Sequence, residues 1–140
     1  MKKILVLCTG NSCRSQIAHG FLNHYSNKSV EIYSAGIETH VVNPKAIETL
    51  AEIGIDISQH TSNLIDEYID LSFDYLITVC DNAAENCPVF PLGEAVRIHQ
   101  NFSDPSKKIG GEETVKKEFR KTREEINAFC KDFISKNLAH

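Results

Sequence analysis

The sequence predicts an α/β fold: a single domain over residues 1–140 with a four-stranded parallel sheet flanked by helices. Three observations carry that expectation. Four apolar runs rich in β-branched residues alternate with helical patterns, the signature of parallel strands joined by helical crossovers. The run Ile4-Leu5-Val6-Leu7 is continuous rather than alternating, as in a strand covered on both faces. A chain of 140 residues suffices for one ordinary core and is too short for two, and no linker-like stretch divides it.

The expected strands are Lys3–Cys8, Glu31–Ala35, Tyr75–Cys80 and Ala95–His99. A first helix is expected from about Ser12 to Tyr25, with Ile17, Phe21 and Leu22 on one face. Asn43 is a good N-cap, Pro44 suits the first helical position and Gly54 is a stop, so a second helix presents Ala46, Ile47, Leu50 and Ile53. A weaker helix is expected over Asn63–Leu71, and a short one over Asn82–Cys87, ended by Pro88. In the last helix Val115, Phe119, Thr122, Ile126, Phe129 and Phe133 recur at steps of four and three. That stripe is expected to pack on the sheet, with Lys116, Lys117, Arg120, Lys121, Glu124 and Glu125 left in water for solubility.

Composition excludes several classes. The formal net charge of −4 argues against a nucleic-acid or membrane-surface role. Lys2-Lys3 is followed by only a short apolar run, so no signal peptide is expected, and no stretch is long enough to cross a bilayer. Five cysteines, an odd number at irregular spacings, read as chemistry in a reducing cytoplasm before they read as a disulfide framework.

The most telling segment is Cys8-Thr9-Gly10-Asn11-Ser12-Cys13-Arg14-Ser15, placed where the first strand turns into the first helix. A loop at that junction aims backbone N–H groups at one point, and the helix N-terminus adds partial positive charge. Gly10 permits close approach and Asn11 tolerates left-handed backbone angles. Arg14 offers a planar fork to two oxygens of a tetrahedral anion. Cys8, at the loop's floor in the same field, is expected to be a thiolate near neutral pH and the nucleophile. Ser15 is expected to donate a hydrogen bond to it, and Cys13 to be a packing or secondary thiol. The bland alternative is a glycine turn with two buried cysteines.

The polar stretch Gln100–Glu113 is long for a compact domain, which marks it as functional. Within it Asp104, held extended by Pro105 and anchored by Phe102, is positioned to protonate a departing oxygen; the alternative is an ordinary turn aspartate. Cys80 ends the third strand on the same edge as Cys8, and Cys87 follows seven residues later. Two thiols so placed can relay a disulfide, with Cys80 attacking at Cys8 and Cys87 attacking Cys80. One buried and one incidental surface thiol is the alternative, and a zinc site with Cys130 lacks the close cysteine pair such sites use. Cys130 is expected to be structural. His19, His24, His40, His60, His99 and His140 show no metal spacing and are expected to be ordinary surface or boundary residues.

CTGNSCRSQ at Cys8–Gln16, YSAGIETH at Tyr33–His40, NPKAIE at Asn43–Glu48, GIDIS at Gly54–Ser58, the pair Cys80 and Cys87 with Pro88, and Asp104-Pro105 together resemble the thioredoxin-coupled arsenate reductases, which share the low-molecular-weight protein tyrosine phosphatase fold. The resemblance covers nearly the whole chain. It implies Cys8 as nucleophile, Arg14 as anion clamp within a binding loop of Thr9, Gly10, Asn11, Ser12, Cys13, Arg14 and Ser15, Asp104 as the residue assisting loss of oxygen, and Cys80 and Cys87 as the shuttle. It implies arsenate as substrate, with phosphate or sulfate as competitors, and thioredoxin as reductant. No cofactor and no metal are expected, and the protein is expected to be a cytoplasmic monomer. Some members bind potassium through Asn11, an acid on the first helix, Ser34 and an acid after a Thr-Ser pair; here the acidic positions are His19 and Asn63. The stretch Val89–Gln100 also departs from typical members, with Gly93-Glu94-Ala95 where prolines are common.

A phosphatase on the same fold is the competing enzyme reading. Gln16 in place of proline, the lack of a tyrosine after Asp104-Pro105, and the shuttle cysteines count against it. A non-enzymatic oxyanion or arsenic sensor lacks any basic face or DNA-binding helix pair to support it.

Overall fold

A strand whose residues are apolar on both faces belongs in the middle of a sheet, and β1 (Lys2–Cys8) lies there. In the computed structural model, which describes residues 2–26, 30–81 and 95–138, Ile4, Leu5, Val6 and Leu7 are all fully buried. β1 pairs in parallel with β2 (Val30–Gly36) on one side and β3 (Tyr75–Thr78) on the other, and β4 (Val96–His99) extends the sheet beyond β3. The order β2-β1-β3-β4 makes the carboxyl ends of β1 and β3 the point where successive connections leave in opposite directions, which is where open α/β sheets bind ligands.

Among the described residues the α-helices are α1 (Arg14–Ser26), α2 (Pro44–Ala51) and α3 (Glu112–Asn137). The Asn43 side chain accepts from Lys45 N at 2.9 Å, with Pro44 opening α2 as its fixed φ allows. Phe119, Thr122, Ile126 and Phe133 of α3 are buried as the stripe predicts, and Cys130 joins them at full burial. Tyr75 meets Phe133 edge-on at 5.1 Å, while Tyr33 meets Tyr68 and Phe73 edge-on at 5.2 and 5.6 Å. Register places Tyr75 beside Ile4 and Tyr33 beside Leu5, on opposite faces, so both faces of the sheet are covered.

Several expectations need correction. The helix expected over Asn63–Leu71 is only a 3₁₀ turn at Ile65–Tyr68. Leu64 forms a bridge with Gly36, Gly36 N donates to Asn63 O at 2.8 Å, and Glu67 turns back to accept from Leu64 N at 2.9 Å. These bonds use the backbone groups that a longer helix needs. The helix expected over Asn82–Cys87 lies outside the described residues. The polar face of α3 does more than solubilise: Arg120 and Arg123 both reach Glu52, at 2.9 Å each, and Lys116 reaches Glu48 at 3.6 Å. α2 and α3 are thereby joined by charge as well as by packing.

Candidate active site

The segment after β2 shapes the loop after β1. Ile37 N, Glu38 N and His40 N donate to the carbonyls of Cys8, Thr9 and Gly10 at 3.3, 3.0 and 3.2 Å, and Asn43 N donates to Ser12 O at 2.8 Å. In a trans peptide the following N–H points opposite to its carbonyl, so the amides of Thr9, Gly10, Asn11 and Cys13 are turned away from that segment. A side chain at Gly10 would run into the imidazole of His40, and Asn11 takes the left-handed turn with φ of 48°. The loop opens onto α1, whose N-terminus supplies its dipole.

A cleft of roughly 720 Å³ lies over this loop, lined by Cys8, Thr9, Gly10, Ser12, Cys13, Arg14, Cys80 and Asp104 among others. Arg14 Nη1 donates to Phe102 O at 2.8 Å, Nη2 lies 3.7 Å from Asp104 Oδ2, and Nε is buried without a hydrogen-bond partner among the described residues. A buried donor of that kind is held ready for an acceptor brought in from outside. Phe102 packs against Phe129 at 5.8 Å and anchors the loop as expected. Asp104 caps the 3₁₀ turn Pro105–Lys107, its Oδ1 accepting from Ser106 N at 2.9 Å, which leaves Oδ2 toward Arg14.

Cys8 and Cys80 meet at the floor, with Sγ atoms 3.6 Å apart and both residues buried. Thr9 Oγ1 lies 3.3 Å from Cys80 Sγ. Just beyond Cys80, Asp81 Oδ1 is 2.6 Å from His99 Nε2, His99 Nδ1 is 2.7 Å from Thr78 Oγ1, and Asp81 N donates to Asn101 at 3.0 Å. Those bonds fix the chain on both sides of the thiol. Cys87 lies outside the described residues.

Two expectations about this loop are corrected. Cys8 is not thiolate-prone in this arrangement: the hydrogen bond to Cys80 and burial push its pKa far up, outweighing Arg14 and the Thr9 amide, which pull it down. Ser15 donates to Asn11 Oδ1 at 2.8 Å rather than to Cys8. Asn11 and Ser15 are fully buried, with their side chains bonded to each other, while Cys13 lines the cleft with its pKa pushed up by burial to about 12.

The low molecular weight phosphotyrosine protein phosphatase family matches residues 3–140. The chain belongs to that family. It is 47% identical over 134 residues to an arsenate reductase of Shouchella clausii, covering 94% of each chain. Among solved structures it is similar to an arsenate reductase in its phosphate-binding state, with TM-score 0.77, 30% identity, and 97% and 98% of the two chains covered. A low molecular weight protein tyrosine phosphatase from T. tengcongensis matches with TM-score 0.79 at 25% identity, covering 97% and 99%. The family fold thus carries both names among its members.

The potassium that some members bind does not fit the residues here. Asn11 Oδ1 already accepts from Ser15 and from Gln16, and Ser34 Oγ is engaged by His19 Nδ1 at 2.8 Å. Asn63 is turned to Glu67 at 3.0 Å. Two neutral side chains stand where a hard cation needs anionic oxygen. Sequence reasoning read Gln16 only as an absent proline and treated His19 and His60 as ordinary boundary residues. Gln16 is fully buried, and His60 Nδ1 lies 2.9 Å from its Oε1. A glutamine directly after the loop Cys8–Ser15 was the signal the sequence offered.

Proposed function

We propose that this chain is an arsenate reductase working through a Cys8–Cys80–Cys87 disulfide relay, regenerated by thioredoxin in the cytoplasm. The observation that carries the reading is the 3.6 Å approach of Cys8 and Cys80 beneath the Arg14 fork. Arg14 and the loop amides hold three arsenate oxygens. The Cys8 sulfur attacks arsenic; an As–O bond breaks, and the oxygen leaves as water with a proton from Asp104. Cys80, as thiolate, then attacks the Cys8 sulfur. An S–S bond forms, the S–As bond breaks, and its electron pair stays on arsenic, which leaves as arsenite.

Two thiols have then given two electrons. Cys87 attacks Cys80 and frees Cys8, and the dithiol of thioredoxin reduces the Cys80–Cys87 disulfide. Arg14 and the Thr9 amide pull Cys8 toward the thiolate that attacks, and Cys80 gives its thiol proton to an oxygen on arsenic before it attacks the Cys8 sulfur. The phosphatase reading uses the same loop and Asp104 but has no use for a second thiol at the floor. Arsenate-dependent NADPH consumption with thioredoxin and thioredoxin reductase, run beside aryl phosphate hydrolysis, tests the assignment. Reductase turnover well above ester hydrolysis is expected; ester hydrolysis alone would overturn it.

A further inference from the structure

Behind the loop, on the side away from the cleft, polar side chains form a closed circuit without a formal charge. Gln16 Nε2 lies 3.0 Å from Asn11 O, 3.1 Å from Asn11 Oδ1 and 2.9 Å from Thr61 O, all acceptors, so its orientation is settled. Its Oε1 can then only accept, and His60, 2.9 Å away, must donate from Nδ1. Asn11 Nδ2 donates to Ser34 O at 3.2 Å, and Ser34 Oγ bonds His19 Nδ1. The circuit closes where the His19 and His60 rings meet, 4.3 Å between centroids. Its members come from α1, the end of β2 and the segment before the 3₁₀ turn, and Asn11 is the single left-handed non-glycine residue among those described.

We infer that Gln16, His60 and His19 are positioning residues: as an uncharged wedge they hold Asn11 in its turn, so the loop amides stay in anion-binding geometry without an ion, and a proton added to the histidine pair loosens that hold. Charging either ring sets a cation against its neighbour in a partly buried site. Burial, and then His60, lower the His19 pKa to about 3, and burial lowers that of His60. Asp56 opposes this at His60. His24 shares one adjoining cavity with His60, and Tyr33 and Tyr68 line the other, where Asn63 is bonded to Glu67. The inference rests on the proposed reading only in that the loop binds an oxyanion.

The test compares wild type, His60→Leu and His60→Asn, with inorganic phosphate as the probe. Calorimetry gives phosphate affinity and hydrogen exchange gives the protection of loop amides 9–14, both at pH 7.5 and 5.5. His60→Leu is expected to weaken phosphate binding about tenfold and to speed loop exchange, with β1 and α3 unchanged. His60→Asn, whose amide can donate where Nδ1–H did, is expected to restore both to within about twofold at pH 7.5. Acidification should weaken wild type more than His60→Asn, a ratio in which the titrations of phosphate and Cys8 cancel. Wild-type behaviour of His60→Leu, no rescue by asparagine, or a pH-independent ratio would overturn the inference. Should His60→Leu not fold, the wild-type to His60→Asn ratio still decides. A wild type that binds no phosphate would sink the oxyanion reading, while the exchange data still judge the wedge.

Discussion

Two opposing influences meet at Cys8: Arg14 and the Thr9 amide favour the thiolate, whereas the Cys80 contact and burial favour the thiol. The contact is the largest of these, so Cys80→Ala is expected to lower the Cys8 pKa and speed its alkylation by iodoacetamide at neutral pH. Equal or slower labelling would show that the contact does not hold the proton. Arg14→Lys should lose most arsenate turnover, since a point charge cannot replace a fork whose Nη1 is tied to Phe102 O and whose Nε has no partner among the described residues. Unchanged turnover would mean that the anion is held elsewhere. Cys8 and Arg14 were legible because the loop is local: strand, small residues and helix follow one another within fifteen positions. The Cys8 thiol's resistance to ionisation was not legible, because its cause lies 72 residues away.

The elements that carry the site follow simple patterns, and their failures are equally physical. β1 announced itself by an unbroken apolar run, and α3 by its stripe, of which Phe119 is 2% exposed. Phe119→Ala should cost about 3–5 kcal/mol in urea denaturation, the range for emptying a buried aromatic site. A loss below about 1 kcal/mol would mean that α3 repacks rather than leaving a cavity. The stretch 63–71 misled because its helical pattern competes with a bridge to Gly36 and a Glu67 bond to its own backbone. The bridging partner, Gly36, sits at the end of β2, far from this stretch in sequence. The wedge of Gln16, His60 and His19 was hidden for the same reason, since its bonds join positions 16, 19, 34 and 60 with no spacing rule to betray them.

At the scale of the whole molecule, the partly buried histidine pair links stability to pH. An unfolded imidazole titrates near 6.5 and His19 in the fold near 3, so between those values the unfolded chain binds a proton that the native state excludes. Stability should therefore be flat above pH 6.5 and fall below it, on the order of 1–2 kcal/mol by pH 5, with a shallower fall in His19→Asn. Denaturant midpoints measured across that range check the sign; stability rising on acidification would contradict it. Exchanging potassium for sodium at fixed ionic strength should leave Tm and turnover unchanged, and a potassium-specific gain would show that the wedge yields to an ion. The central claim is that the fold brings two thiols together to move electrons. Single-turnover arsenite release from Cys87→Ser and Cys80→Ser, followed by mass mapping of disulfides under non-reducing conditions, tests it most directly. Cys87→Ser should release one equivalent of arsenite and stop with Cys8 joined to Cys80, while Cys80→Ser stops at the arsenic adduct. Multiple turnovers by Cys87→Ser with thioredoxin, or maps in which Cys80 never pairs with Cys8 or Cys87, would contradict the relay.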